Sequence, residues 1–157
     1  MPRLRVASYN LRNLLSRQDL ARLDLPAHSS PPLKRRSHLR ALAETIRHCE
    51  ADIIGLQECG SLETLQWFLE KHHLLEKYPH QILCQGNSLR GIHVGLLSSI
   101  APLEFQSYKD LKFPLSSDRS VTSGPTELTQ FSRDLLRVEF AEPKLCIFVA
   151  PLKSNRP

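Results

Sequence analysis

The run Ala51-Asp52-Ile53-Ile54-Gly55-Leu56-Gln57-Glu58 constrains this chain more than any other stretch. Its centre, Ile53 to Leu56, is continuous, apolar and β-branched at the start, and too short for a stable helix. Such a run reads as a strand buried on both faces, and it needs a layer of structure on each side. The preceding segment offers one. Leu39, Leu42, Ala43, Ile46 and Cys49 recur at helical spacing, with Lys34, Arg35, Arg36, Arg40 and Arg47 mainly off that stripe. Ser61 is placed to cap a second helix with Leu62, Leu65, Phe68 and Leu69 inward, fading near Tyr78-Pro79. Upstream, Leu4 to Tyr9 reads as a short strand with Asn10 at its end, and residues 16–33 as a surface loop. The β-α-β-α order predicts an α/β sheet.

Past Pro79 the pattern changes to strands, expected at 81–84, 91–97 and 103–108, then a long loop over 109–130. Leu135 to Phe140 and Leu145 to Val149 read as a hairpin joined through Glu142-Pro143-Lys144. A chain of 157 residues, 41% hydrophobic and 24% charged, suits one globular domain with a core. No apolar run approaches the roughly 20 residues of a membrane span. The charged start, Met1-Pro2-Arg3-Leu4-Arg5, does not read as a secretory leader, and a cytoplasmic location is expected. Cys49, Cys59, Cys84 and Cys146 form no C-x-x-C spacing and read as reduced, mostly packed thiols, not a zinc site. The net charge of +5 is uneven, with nine Lys/Arg and two Asp before residue 41. That end suits either an anionic partner or a basic solvated loop.

Two polar residues stand where apolar strands end, Asn10 and Glu58. Loops at strand ends present side chains from a rigid base, a carboxylate there suits a hard cation, and an amide suits a phosphate or a water. Taken alone, Asn10 also reads as a turn residue and Glu58 as a surface acid. Four stretches taken together resemble the endonuclease/exonuclease/phosphatase family: Arg5 to Asn13, Ala51 to Glu58, Gly91 to Ser98, and Phe131 to Leu136 with Val149 to Ser154. The second is similar to that family's A-D-[IV]-[IV]-x-L-Q-E signature.

The resemblance implies a deoxyribonuclease-like α/β/β/α sandwich, present here in part, and hydrolysis of phosphate esters with magnesium (or manganese). It implies that Glu58 is the metal ligand and that Asn10 lies near the phosphate and the nucleophile. Arg133, at a strand start, suits either a phosphate contact or a surface ion pair, and Lys153 and Ser154 match the family's end motif. His93 reads as a packed or edge histidine, and the adjacent His72-His73 as a poor metal pair.

Two departures stand against full activity. Pro151 occupies the place of a catalytic His or Tyr, and no G-D-x-N or S-D-H segment occurs in the sequence. Loss of a positioned base costs ~10²–10⁴-fold in rate. Residues 1–157 are therefore expected to be the N-terminal portion of one domain, truncated, with a phosphate ester or nucleic acid as ligand. A missing C-terminal half or self-association would complete it. The competing readings are a non-catalytic remnant and a polyanion- or nucleic-acid-binding module.

Overall fold

A computed structural model describes residues 3–23, 31–114, 128–131 and 133–151. The architecture is mixed α/β, with several sheets and few helices. Strands β1 (Val6–Leu14), β2 (Ile53–Cys59), β3 (His80–Cys84) and β4 (His93–Ser98) form one sheet in the order β1-β2-β4-β3. β1 runs parallel to β2, and β4 antiparallel to both β2 and β3. A second sheet holds β5 (Glu104–Ser107), β8 (Leu136–Phe140) and β9 (Leu145–Val149) in the order β5-β8-β9. β6 (Lys112–Pro114) and β7 (Leu128–Gln130) make a separate ribbon inside the segment expected as a loop. Residues 115–127 of that segment lie outside the described residues.

β2 is buried from Ile53 to Leu56, as its composition predicts. Ile54 and Leu56 face a core made with helices α2 (Arg36–Cys49) and α3 (Leu62–Lys71) through Leu39, Leu42, Ala43, Ile46, Leu65, Phe68 and Leu69. Ile53 faces the other way, into a core shared with Val94, Leu96, Leu136, Val138, Phe140 and Val149. Gly55 lets the sheets meet closely, since a Cβ there would lie 3.1 Å from Val149 Cγ2. The stack is therefore helices, sheet, sheet. Among the described residues no helix covers the outer face of the second sheet. Arg137 on that face pairs with Glu104 and, at 3.1 Å, with Glu139. That charge ladder gives part of the face a polar finish, with the exposed Phe148 of β9 beside it.

Four expectations need correction. Cys49 falls in the last turn of α2 and is exposed, because Glu50 ends the helix in a left-handed conformation (φ 45°). Cys146 is also exposed, so only Cys59 is fully packed and Cys84 partly so. Leu62 is only half-buried, while Thr64 takes an inward position. The loop expected over 16–33 begins with helix α1 (Arg17–Ala21). Its capping box was written in Ser16-x-x-Asp19: the Ser16 hydroxyl accepts from Asp19 N, and Asp19 Oδ2 accepts from Ser16 N at 2.8 Å.

Asp19 does more than cap α1. Its buried carboxylate also accepts from Thr64 Oγ1 at 2.6 Å and from Ser61 N at 3.3 Å, at the start of α3. Burial alone would raise its pKa, but the hydrogen bonds from Thr64, Ser16 and Ser61 outweigh that and hold it below 3.8. Replacing Asp19 with Ala leaves buried donors without an acceptor. We expect it to destabilise the chain by about 2–4 kcal/mol in urea denaturation. A loss under about 0.5 kcal/mol, the size of an ordinary surface substitution, would contradict the pinning role.

Candidate functional site

The regular ladder between β1 and β2 runs from the Val6–Ile53 pair to the Asn10–Gln57 pair and then breaks, resuming at Leu14–Cys59. β1 therefore extends past Asn10, which marks the end of regular pairing rather than the end of the strand. Arg12 and Asn13 adopt left-handed backbone at φ 50° and 59°, and Glu58 does so at φ 58°. On the other side of β2, Gln57 and Glu58 together stand opposite Val94 alone, between the Leu56–Gly95 and Cys59–His93 pairs. This is a β-bulge, and it changes the aim of a side chain. Strict alternation would send Glu58 to the helix side with Ile54 and Leu56. The extra residue shifts the phase, so Cys59 takes the helix-side position and Glu58 is released from it.

The released carboxylate meets Arg133. Arg133 Nη1 lies 4.0 Å from Glu58 Oε1, with the two side chains 22% and 18% exposed. That is the outer limit of an ion pair, leaving both groups room for another ligand. Lys34 feels the same site. Burial and neighbouring Arg12 lower its pKa from 10.5, and Glu58 draws it partly back. One carboxylate thus sits among several cations, a field that attracts anions.

A cavity of about 230 Å³ opens beside this pair, lined by Ser8, Asn10, Gln57, Arg133, Ala150 and Pro151. Asn10 Oδ1 accepts from Arg12 N at 2.7 Å, which leaves its amide nitrogen as a donor. Gln57 Nε2 donates to Ser8 Oγ at 3.0 Å, which leaves its amide oxygen as an acceptor. Pro151 brings no donor and no titratable group to that wall. A second cavity of about 470 Å³ shares Arg133 and Pro151 and adds Asn87, Arg90 and Phe131.

Of the four residues expected from sequence, Asn10 and Arg133 line one cavity, and Glu58 lies against Arg133. Lys153, with Ser154, lies outside the described residues. Sequence reasoning missed Ser8 and Gln57, although Ser8 lies two residues before Asn10, on the same face of the strand. It also missed Arg12; Lys34 belongs to the basic end that suits an anionic partner or a solvated loop, and it senses both Arg12 and Glu58. His93 is buried within β4, and His72 and His73 follow the end of α3 instead of lying on it.

Glu58 itself offers the hard carboxylate oxygens that suit magnesium. Their number is small: among the described residues, no group of three or more His, Cys, Asp or Glu side chains gathers to hold a metal. Magnesium tolerates this, since it commonly binds through one or two carboxylates, several waters and the phosphates of a ligand. Also among the described residues, no helix is long and apolar enough to cross a membrane.

Neither a family model nor a curated protein matches the chain. Among solved structures, it is similar to an endonuclease/exonuclease/phosphatase family protein from Bacteroides thetaiotaomicron, at 19% identity and a TM-score of 0.45, over 92% of this chain and 48% of that one. The chain thus spans about half the length of that structure.

His93 gives the site region a pH dependence. Its Nδ1 accepts from Gly86 N at 3.2 Å, which requires the neutral ring. Burial lowers its pKa below 6.5, although Asp19 and Asp134 pull upward and Lys109 adds to the lowering. The unfolded chain therefore takes up a proton at this position more readily than the native ring does. Stability from this group is complete above about 6.5 and falls as pH drops toward the depressed native value. Thermal melts from about pH 7.5 to about pH 5 should show wild type losing more stability than His93→Gln. Parallel profiles would contradict this assignment.

Proposed function

We propose that the chain belongs to the lineage of metal-dependent phosphoesterases and forms the amino-terminal portion of such a domain. In this reading Glu58 is the metal-side acid, and Asn10 and Arg133 are donors to the phosphate. One observation carries it: the bulge at Gln57-Glu58 turns the signature glutamate off the helix face, to a point 4.0 Å from Arg133 beside a cavity shared with Asn10. A purely structural strand gains nothing from a left-handed glutamate, which costs of order 1–3 kcal/mol.

Each residue has a defined task. Arg133 binds a phosphate oxygen with its guanidinium, and the Asn10 amide donates to a second oxygen. Lys34 and Arg12 raise the local potential that draws the anion in. Glu58, with the Gln57 amide oxygen and the ligand's own phosphate, would hold magnesium. When bound, the cation supplies neutralisation of charge on the phosphate oxygens. None of the described residues lining the cavity is a base suited to activating water, and Pro151 stands in its wall. The chain alone therefore binds phosphate and hydrolyses esters slowly or not at all.

Calorimetry with inorganic phosphate and magnesium tests this. We expect magnesium to tighten phosphate binding, Glu58→Gln to remove that increment, and Arg133→Ala to weaken binding about tenfold or more. Hydrolysis of bis(4-nitrophenyl) phosphate should not exceed the Glu58→Ala background. Absence of phosphate binding under any condition would overturn the lineage reading. Glu58-dependent turnover would overturn the incomplete-domain reading. A second reading, a polyanion-binding remnant, draws on Arg12, Lys34, Arg90 and Arg133 near a single acid. It predicts nucleic-acid binding that falls steeply with salt and does not change with magnesium or with Glu58→Gln.

The incomplete-domain reading is supported by packing at one side of the sandwich. Val6 lies on the inter-sheet side of β1, yet it is 52% exposed. Among the described residues β9 has no strand on its outer edge, and Phe148, on the outer face of that sheet opposite Arg137, is 57% exposed. A further strand on β9 would cover that side of β1. Exposed apolar side chains together with an open strand edge invite association. We expect the isolated chain to self-associate in sedimentation velocity at micromolar concentration, and Val6→Thr with Phe148→Ser to reduce it. A monomeric wild type with a cooperative melt would contradict the proposal.

A further inference from the structure

Arg133 lies between β7 and β8, where among the described residues no sheet ladder holds it. Something else must fix it. The connection between β3 and β4 does so through Asn87, which reaches three separate points of the chain. Its backbone N–H donates to Arg133 O at 2.7 Å. Its side-chain Nδ2 donates to Phe131 O at 3.0 Å and to Lys109 O at 2.7 Å. Both side-chain amide hydrogens are therefore used, and both go to backbone carbonyls of other segments.

The neighbouring residue makes this approach feasible. A Cβ on Gly86 would lie 2.5 Å from Arg133 O, so no side chain fits at that position. The Gly86 N–H is in turn tied to His93 on β4, which roots the loop in the first sheet. On the other side of Arg133, the buried Asp134 carboxylate accepts from Ser107 Oγ at 2.8 Å and from Tyr108 N at 3.1 Å. The Arg133 backbone is thus gripped on both flanks, and only its guanidinium is left to meet Glu58.

We propose that Asn87 is a positioning residue: by clamping the carbonyls of Phe131 and Arg133, it sets where the Arg133 guanidinium stands relative to Glu58. The inference rests on the reading of Arg133 as a phosphate contact. An asparagine that merely closed a loop would affect stability without acting through Arg133. A positioning asparagine acts through Arg133, so its loss and the loss of Arg133 must not add.

The test is a double-mutant cycle on the full chain, with inorganic phosphate plus magnesium as the probe. Asn87→Ala is expected to weaken phosphate binding about tenfold, approaching Arg133→Ala, and the double variant to bind no more weakly than Arg133→Ala alone. Asn87→Ser, which keeps one donor, should recover part of the loss, and it is the variant to read if Asn87→Ala does not fold. Wild-type affinity in Asn87→Ala, or losses that add in full, would overturn the proposal. A separate readout guards against failure of the underlying reading. The Nε–Hε signal of Arg133 in nitrogen-edited NMR should move in Asn87→Ala and stay in place in Ser88→Ala. If Arg133→Ala leaves phosphate affinity unchanged, the phosphate reading falls, and this signal alone decides the clamp. An unmoved signal then overturns it.

Discussion

β2 is in apolar contact on both sides, and the rest of the chain is arranged around that fact. Ile54 and Leu56 draw α2 and α3 onto one face, and Ile53 with Gly55 draws β9 and β8 onto the other. The Ile53, Ile54 and Leu56 side chains each contribute about 1.5–3 kcal/mol when fully buried. The start of β2 is tied as well. Tyr78 donates its hydroxyl to Ala51 O at 3.0 Å, and Asp52 N donates to Arg5 O at 2.8 Å, which fixes β1 in register beside it. A rigid central strand is the condition for presenting one acid accurately at its end.

The site follows from how that strand stops being regular. A glutamate in phase with Ile54 and Leu56 would be forced against Leu65 and Phe68. The left-handed turn at Glu58 avoids this, and the matching irregularity at Arg12 and Asn13 keeps β1 alongside. The two departures from ideal strand geometry lie at the same level of the sheet, next to the cavity. The cations come from elsewhere: Lys34 from the approach to α2, Arg133 from the approach to β8. The electrostatic centre is therefore assembled from distant segments, whereas its scaffold is local.

That difference explains what could be read in advance. α2, β2, α3 and the final hairpin were legible because each carries a period in its own residues, such as Leu39, Leu42, Ala43 and Ile46, or Leu136, Val138 and Phe140. Asn10, Glu58 and Arg133 were legible as polar residues flanking such periods. α1 was overlooked although Ser16 and Asp19 spell its cap, because five residues are too few to show a repeat. The β6–β7 ribbon has three residues on each side and no apolar alternation to announce it. Asn87 and Gly86 could not be found from sequence, since their meaning lies in carbonyls more than twenty residues away. The burial of Cys49 was misread because periodicity does not say where a helix ends. That depended on Glu50 adopting a left-handed backbone.

The bulge in β2 also bears on how such a chain can change over time. Between the flanking ladder pairs, β2 fits Gln57 and Glu58 into the length that β4 fills with Val94. Many side-chain replacements leave that count intact. Loss of a single codon there does not: the ladder would close, one of the two polar residues would disappear, and the survivor would inherit an ordinary strand position. This short stretch is therefore governed by residue number as much as by residue type. Lineages of this chain should accept substitutions around Gln57-Glu58 more readily than any change in length.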